Sequence, residues 1–186
     1  MDIRVMVQST PNPNALKFVL SVPVKTEGNV TYKKAEDCEN NPLAKGIFTV
    51  SNVAEVYFFD NYITVTQDGN ADWDALEEQI QKIILENIEG HDPNFKVAEK
   101  PKPVAATSDN PDIKKINDIL DQTVRPALQM DGGDLQVVNL EGNKLFINYH
   151  GACGSCPSSA AGTMKAIENL LREEFNPDLV VEIAQT

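Results

Sequence analysis

Gly151-Ala152-Cys153-Gly154-Ser155-Cys156-Pro157-Ser158-Ser159 carries two of the three cysteines in a chain of 186 residues. The alternating run Lys144 to Tyr149 leads into it, and Met164, Ile167, Leu171 and Phe175 follow at helical spacing until Asn176-Pro177 stops them. The local order is therefore strand, cysteine loop, helix. Thiols two residues apart sit close enough to hold one metal or to close one small disulfide, and the flanking glycines let the backbone approach whatever is held. Ser158 or Ser159 can cap the following helix, whose positive end then faces the sulfurs and favours thiolate over thiol.

Upstream of the loop, Leu135 to Leu140, Glu141-Gly142-Asn143 and Lys144 to Tyr149 form a hairpin, with Asp131-Gly132-Gly133-Asp134 as the turn before it. Asn110-Pro111 is a cap followed by a first-turn proline, and Ile113, Ile116, Leu120, Val124 and Ala127 mark one face of a helix. Pro126 kinks or ends its last turn near Leu128, because it cannot donate to the carbonyl of Gln122. Leu179 to Ala184 reads as a last strand, so residues 110–186 spell α-β-β-α-β. A unit of about 75 residues builds only a small core and gains from a bound metal or a partner subunit.

Residues 97–109 are rich in Lys, Pro, Ala, Thr and Ser without hydrophobic periodicity, the composition of a flexible linker. Residues 1–96 form a separate domain. Ile3 to Gln8 and Ala15 to Leu20 read as strands around the turn residues Ser9 to Asn14, and Pro42 to Phe48 as a short helix behind an Asn cap. Lys25 to Asn40 is polar and weakly patterned. Val53 to Phe59 and Tyr62 to Thr66 flank Asp60-Asn61 as a tight hairpin. Trp73, Leu76, Ile80, Ile83 and Ile84 then mark a helix that covers one face of the sheet. The fold class is α+β: two small α/β-layer domains joined by a linker.

A hydrophobic share of 41% against 24% charged residues is an ordinary globular mix. The net charge of -12 argues against nucleic acid, since nothing rich in Lys and Arg could displace counterions from a phosphate backbone. No apolar run approaches the roughly 18 residues of a membrane span, and Met1 leads straight into a strand without a basic leader, which reads as a cytoplasmic protein. Three cysteines, one distant from the other two, make metal or redox use in a reducing compartment a better fit than a disulfide framework.

Arg125-Pro126 through Met130-Asp131-Gly132-Gly133-Asp134, followed by the cysteine loop, resembles the C-terminal NifU-like domain of Nfu proteins. Ser9-Thr10-Pro11-Asn12-Pro13-Asn14-Ala15-Leu16-Lys17-Phe18, with Pro42-Leu43-Ala44 and Phe48, is similar to the Nfu amino-terminal domain. The resemblance implies a non-enzymatic iron-sulfur cluster scaffold or carrier. Cys153 and Cys156 would bind a cluster, 4Fe-4S before 2Fe-2S, shared with the same pair of a second subunit. An upstream assembly scaffold would supply the cluster, and recipient apoproteins would take it.

The residues agree with that implication. Two thiolates cannot complete the coordination of a four-iron cluster, whose irons ask for about four protein sulfurs, but two such loops across a twofold axis can. Gly154 and Ser155 could donate backbone N–H groups to bound sulfide, and Gly151 gives the bend out of the strand. His150 precedes the loop but faces away from Tyr149, and reads as a plain strand histidine. Cys38 reads as a lone surface or half-buried thiol and not a ligand; Asp131 and Asp134 read as turn residues and Trp73 as packing. The turn from Thr10 to Asn14 is a candidate surface for recognising recipients. Two alternatives stand beside the carrier: a thiol-disulfide oxidoreductase with Cys153 attacking and Cys156 resolving, and a zinc-bridged interaction module. A hairpin rather than the first strand of a βαβ unit precedes the cysteines, which disfavours the oxidoreductase.

Overall fold

The computed structural model describes residues 3–96, 110–154 and 157–184, with the side chains of 157–161 outside that description. Two compact units, Met1–Ala98 and Glu99–Thr186, make up the chain, and each is α+β. The linker expected over 97–109 lies outside the described residues. Among the described residues no helix is long and apolar enough to cross a membrane.

The first unit runs β1 (Val5–Ser9), β2 (Ala15–Leu20), β3 (Lys25–Tyr32), α1 (Pro42–Ile47), β4 (Val53–Asp60), β5 (Tyr62–Gln67) and α2 (Trp73–Asn87). Its five strands lie in the order β1-β2-β5-β4-β3, every neighbouring pair antiparallel. Alternate residues Phe18, Leu20, Val56, Phe58, Ile63 and Val65 enter a core that Leu43 and Ile47 of α1 and Leu76, Ile80 and Ile84 of α2 complete. Period two in the strands and period near four in the helices therefore meet in one layer. The Asn41 side chain accepts from the Ala44 amide at 3.1 Å, which fixes the start of α1.

β3 corrects the sequence reading, which found no strand between Lys25 and Asn40. The strand lies at the sheet edge with half of its residues exposed, and its register slips between Lys25 and Asn29, where Gly28 has φ +68°. A polar, interrupted edge strand shows no alternation. Cys38 is a second correction, since it is fully buried and not at the surface. Burial, with Asp37 and Glu36 adding to it, pushes its thiol up to about 11, so it stays protonated and inert near neutral pH.

The turn after β1 spends its polar groups on itself. Thr10 Oγ1 donates to the Asn12 and Ala15 carbonyls at 3.0 and 2.9 Å, the Asn12 side chain accepts from the Asn14 amide, and Trp73 Nε1 donates to the Pro13 carbonyl at 2.9 Å. Trp73 thereby fastens α2 to the turn as well as packing.

Glu55 stands in β4 on the face away from Val56 and Phe58. Its Oε1 is enclosed with no hydrogen-bond partner among the described residues, and burial lifts the carboxyl from 4.5 to about 7, with Lys33 offsetting part of the effect. The folded chain holds this proton more tightly than the unfolded chain does. The resulting stability is fully present below pH 4.5 and is lost as pH rises through 7. Between those limits the first unit should lose about 3 kcal/mol, and Glu55→Gln should remove most of that slope. Urea midpoints followed by the fluorescence of Trp73 at pH 5 and pH 8 measure it; equal slopes in both proteins would contradict the assignment.

The second unit runs α3 (Pro111–Thr123), α4 (Arg125–Met130), β6 (Gly133–Glu141), β7 (Lys144–Gly151), α5 (Pro157–Glu174) and β8 (Val180–Ile183). β6 pairs antiparallel with β7, and β8 adds parallel to the other edge of β7. Leu135, Val137, Leu145, Ile147 and Val181 face Ile116, Leu120, Leu128, Ile167 and Leu171. Glu168 locks α5 to β8 by accepting from the Val181 amide at 3.1 Å, while Arg172 Nε donates to the Leu179 carbonyl at 2.7 Å.

The order is thus α-α-β-β-α-β, one helix more than the sequence reading gave. Pro126 is not late in a long helix. The first helix ends at Thr123 and a second begins at Arg125, with Pro126 in its first turn, where the missing N–H costs nothing. Leu128 rather than Ala127 points to the core as a result.

Candidate metal centre

Gly151 leaves β7 with φ +62°, a conformation that favours glycine, and throws the chain back over the start of β6. The Ala152 amide donates to the Gly132 carbonyl at 3.1 Å, and the Gly154 amide to the Gly151 carbonyl at 2.9 Å. The double glycine and the cysteine loop, 18 residues apart or more in sequence, are in this way one structure. That Gly154 N–H is committed to the chain, so it is not the sulfide donor that the sequence suggested; Ser155 lies outside the described residues.

Cys153 is 6% exposed and its side chain joins the hydrophobic cluster of the unit. Its sulfur fills a slot that Gly133 leaves open. A Cβ on Gly133 would lie 2.6 Å from Cys153 Sγ, 2.8 Å from the His150 carbonyl oxygen and 3.0 Å from the Cys153 amide nitrogen. Gly133 and Asp134 belong to β6 and not to the turn assigned to them. Gly133 sits one place before the inward-facing Leu135 on the same face, so the thiol occupies the position its side chain would take.

Asp134, 5% exposed, is more than a turn residue. Burial raises its carboxyl above the ordinary range, and the Leu135 amide at 2.7 Å and Arg125 oppose that rise. Arg125 Nε stands 3.7 Å from Asp134 Oδ1 and donates to the Leu135 carbonyl at 3.3 Å; its Nη2 donates to Asn117 Oδ1 at 2.7 Å and its Nη1 pairs with Asp121. One guanidinium thus joins α3, α4 and β6. His150 stands across from Asp134 in register, half-buried, in the role of a strand residue.

α5 begins at Pro157, one residue after Cys156. Ser158 and Ser159 fall inside its first turn, and their side chains lie outside the described residues. The N-terminus of an 18-residue helix follows the loop in sequence. Cys156 itself lies outside the described residues.

Residues 5–91 match the family model described as scaffold protein Nfu/NifU N terminal, and residues 116–182 match the NifU-like domain. The chain belongs to the Nfu family. Over 172 residues this Nfu chain is 31% identical to a protein of Arabidopsis thaliana named NifU-like protein 4, mitochondrial, covering 90% of this chain and 61% of that one. Over 173 residues it is 30% identical to a Drosophila grimshawi protein named NFU1 iron-sulfur cluster scaffold homolog, mitochondrial, covering 90% and 57%. The chain spans about three fifths of the length of these curated relatives. A solution structure of a NifU-like protein from Saccharomyces cerevisiae aligns at TM-score 0.44 and 21% identity, covering 52% of this chain and 87% of that one.

Gly133 and Arg125 are the residues around the seat of Cys153 that sequence reasoning did not assign. A glycine two places before a run of alternating core residues is the one signal that could have found the slot.

Proposed function

We propose that this Nfu protein is an iron-sulfur cluster scaffold or carrier that holds its cargo on Cys153 and Cys156. A 4Fe-4S cluster needs two such pairs, so loading joins two copies of the chain through their cysteine loops. An upstream assembly scaffold delivers the cluster and recipient apoproteins remove it, their thiolates replacing these; the protein carries and does not catalyse. The observation that supports the reading is the seat of Cys153, a buried sulfur in the slot that Gly133 leaves open, on a loop tied by backbone hydrogen bonds to β6 and followed in sequence by a helix that begins at Pro157. Such a seat fixes the position of the sulfur before any cargo arrives. Cys156 enters through its spacing and the family.

Anaerobic supply of iron and sulfide to the full chain should give a brown protein with broad visible absorption. Cys153→Ser and Cys156→Ser should each reduce the iron held by at least about tenfold, as loss of a ligand does. A colourless protein holding zinc, or serine variants that load like the parent, would overturn the proposal.

A further inference from the structure

Tyr149 lies opposite Leu135 in the β6–β7 register and packs against the cluster of side chains that contains Cys153. Strand alternation sends Leu135, Ile147 and Tyr149 to the same face as the Gly133 slot. Its ring is at home there; its oxygen is not. The hydroxyl is fully enclosed and has no hydrogen-bond partner among the described residues, an arrangement that phenylalanine would avoid. A phenol keeps its proton at neutral pH, so the enclosed hydroxyl remains a donor. A thiol is a weak acceptor and a thiolate a strong one, so the value of this donor appears only when Cys153 is charged.

We propose that the Tyr149 hydroxyl donates a hydrogen bond to the Cys153 thiolate that holds the cluster, and that this bond slows release of the cargo. The inference rests on Cys153 being a ligand. It makes Tyr149 a holding residue of the site, and it sets the rate at which this chain gives its cluster away.

Tyr149→Phe in the full chain removes one oxygen and leaves the ring in place. Before loading, the variant should unfold in urea at a midpoint equal to or above the parent's, because an enclosed hydroxyl without a partner has gone. After loading with iron and sulfide, it should lose iron to a chelator about tenfold faster, the equivalent of one hydrogen bond to a charged acceptor. Its reduction potential should fall, since a donor to a ligating sulfur favours the more negative, reduced cluster. A lower urea midpoint before loading would mean that the hydroxyl is already bonded elsewhere, and it would overturn the inference. Iron loss and potential equal to the parent's would do the same while leaving the carrier reading intact. A parent that never loads would instead remove the carrier reading itself.

Discussion

Gly133→Ala should cost the second unit about 3 kcal/mol and abolish most of its capacity to load iron and sulfide, while the first unit unfolds as before. The added methyl meets a sulfur at 2.6 Å and two backbone atoms at 2.8 and 3.0 Å. A flexible side-chain end could step aside, but the His150 carbonyl and the Cys153 amide belong to β7 and its exit, so the loop must lift. Lifting it breaks the Ala152 to Gly132 hydrogen bond and moves Cys153 off its seat. The single tryptophan, Trp73, is in the first unit, so its fluorescence reports that unit alone, while circular dichroism reports both. The expected result is an unchanged fluorescence midpoint in urea beside a lowered one by circular dichroism. Unchanged dichroism and unchanged loading would show that the slot has room.

Arg125→Ala should be nearly as damaging, by about 3 kcal/mol, for an electrostatic reason. The guanidinium is the cation nearest to the buried Asp134 among the described groups, and it also satisfies Asn117 and the Leu135 carbonyl. Without it a carboxylate stays enclosed with no counter-charge, which costs more than the ion pair itself contributes. Arg125→Lys keeps the charge but not the fork, and should recover only part of the loss. Adding Asp134→Asn to Arg125→Ala should recover more, because nothing charged is then left uncompensated. The pH dependence has a definite sign. Burial already raises the Asp134 carboxyl, and losing Arg125 raises it further, so the variant's deficit should shrink as pH falls toward the unfolded value near about 4. Urea midpoints by circular dichroism at pH 7 and pH 4.5 measure this, and a deficit that grows on acidification would contradict it.

Much of the fold was readable because its signals are local. Ala15 to Leu20 is an apolar run, the two strands around Asp60-Asn61 are β-branched and aromatic, and the Asn41 and Asn110 caps mark where α1 and α3 begin. β3 was hidden because its evidence is a pairing partner, β4, and not a pattern of its own. Pro126 misled for a related reason: a proline reads as a break from upstream and as a start from downstream, and only the packing of Leu128 decides between them. At the site, the cysteines could be seen but their seat could not. Gly133 looks like any turn glycine until β7 returns beside it, and Asp134 looks like a turn residue until Arg125 comes down over it from α4. A tyrosine at position 149 fits a strand pattern whether or not its oxygen has work to do. Spacing of less than about four residues was legible, and what depended on distant strands meeting was not.

The central claim is that one copy supplies half of a coordination sphere. The most direct test is the native mass of the full chain, measured without oxygen before and after iron and sulfide are supplied, with iron counted per chain. The loaded fraction should have twice the mass of one chain and about two irons per chain, and should return to its unloaded mass when a chelator strips the iron. A loaded species of single-chain mass, or a dimer that keeps its mass and iron when Cys153 and Cys156 are both serine, would contradict it.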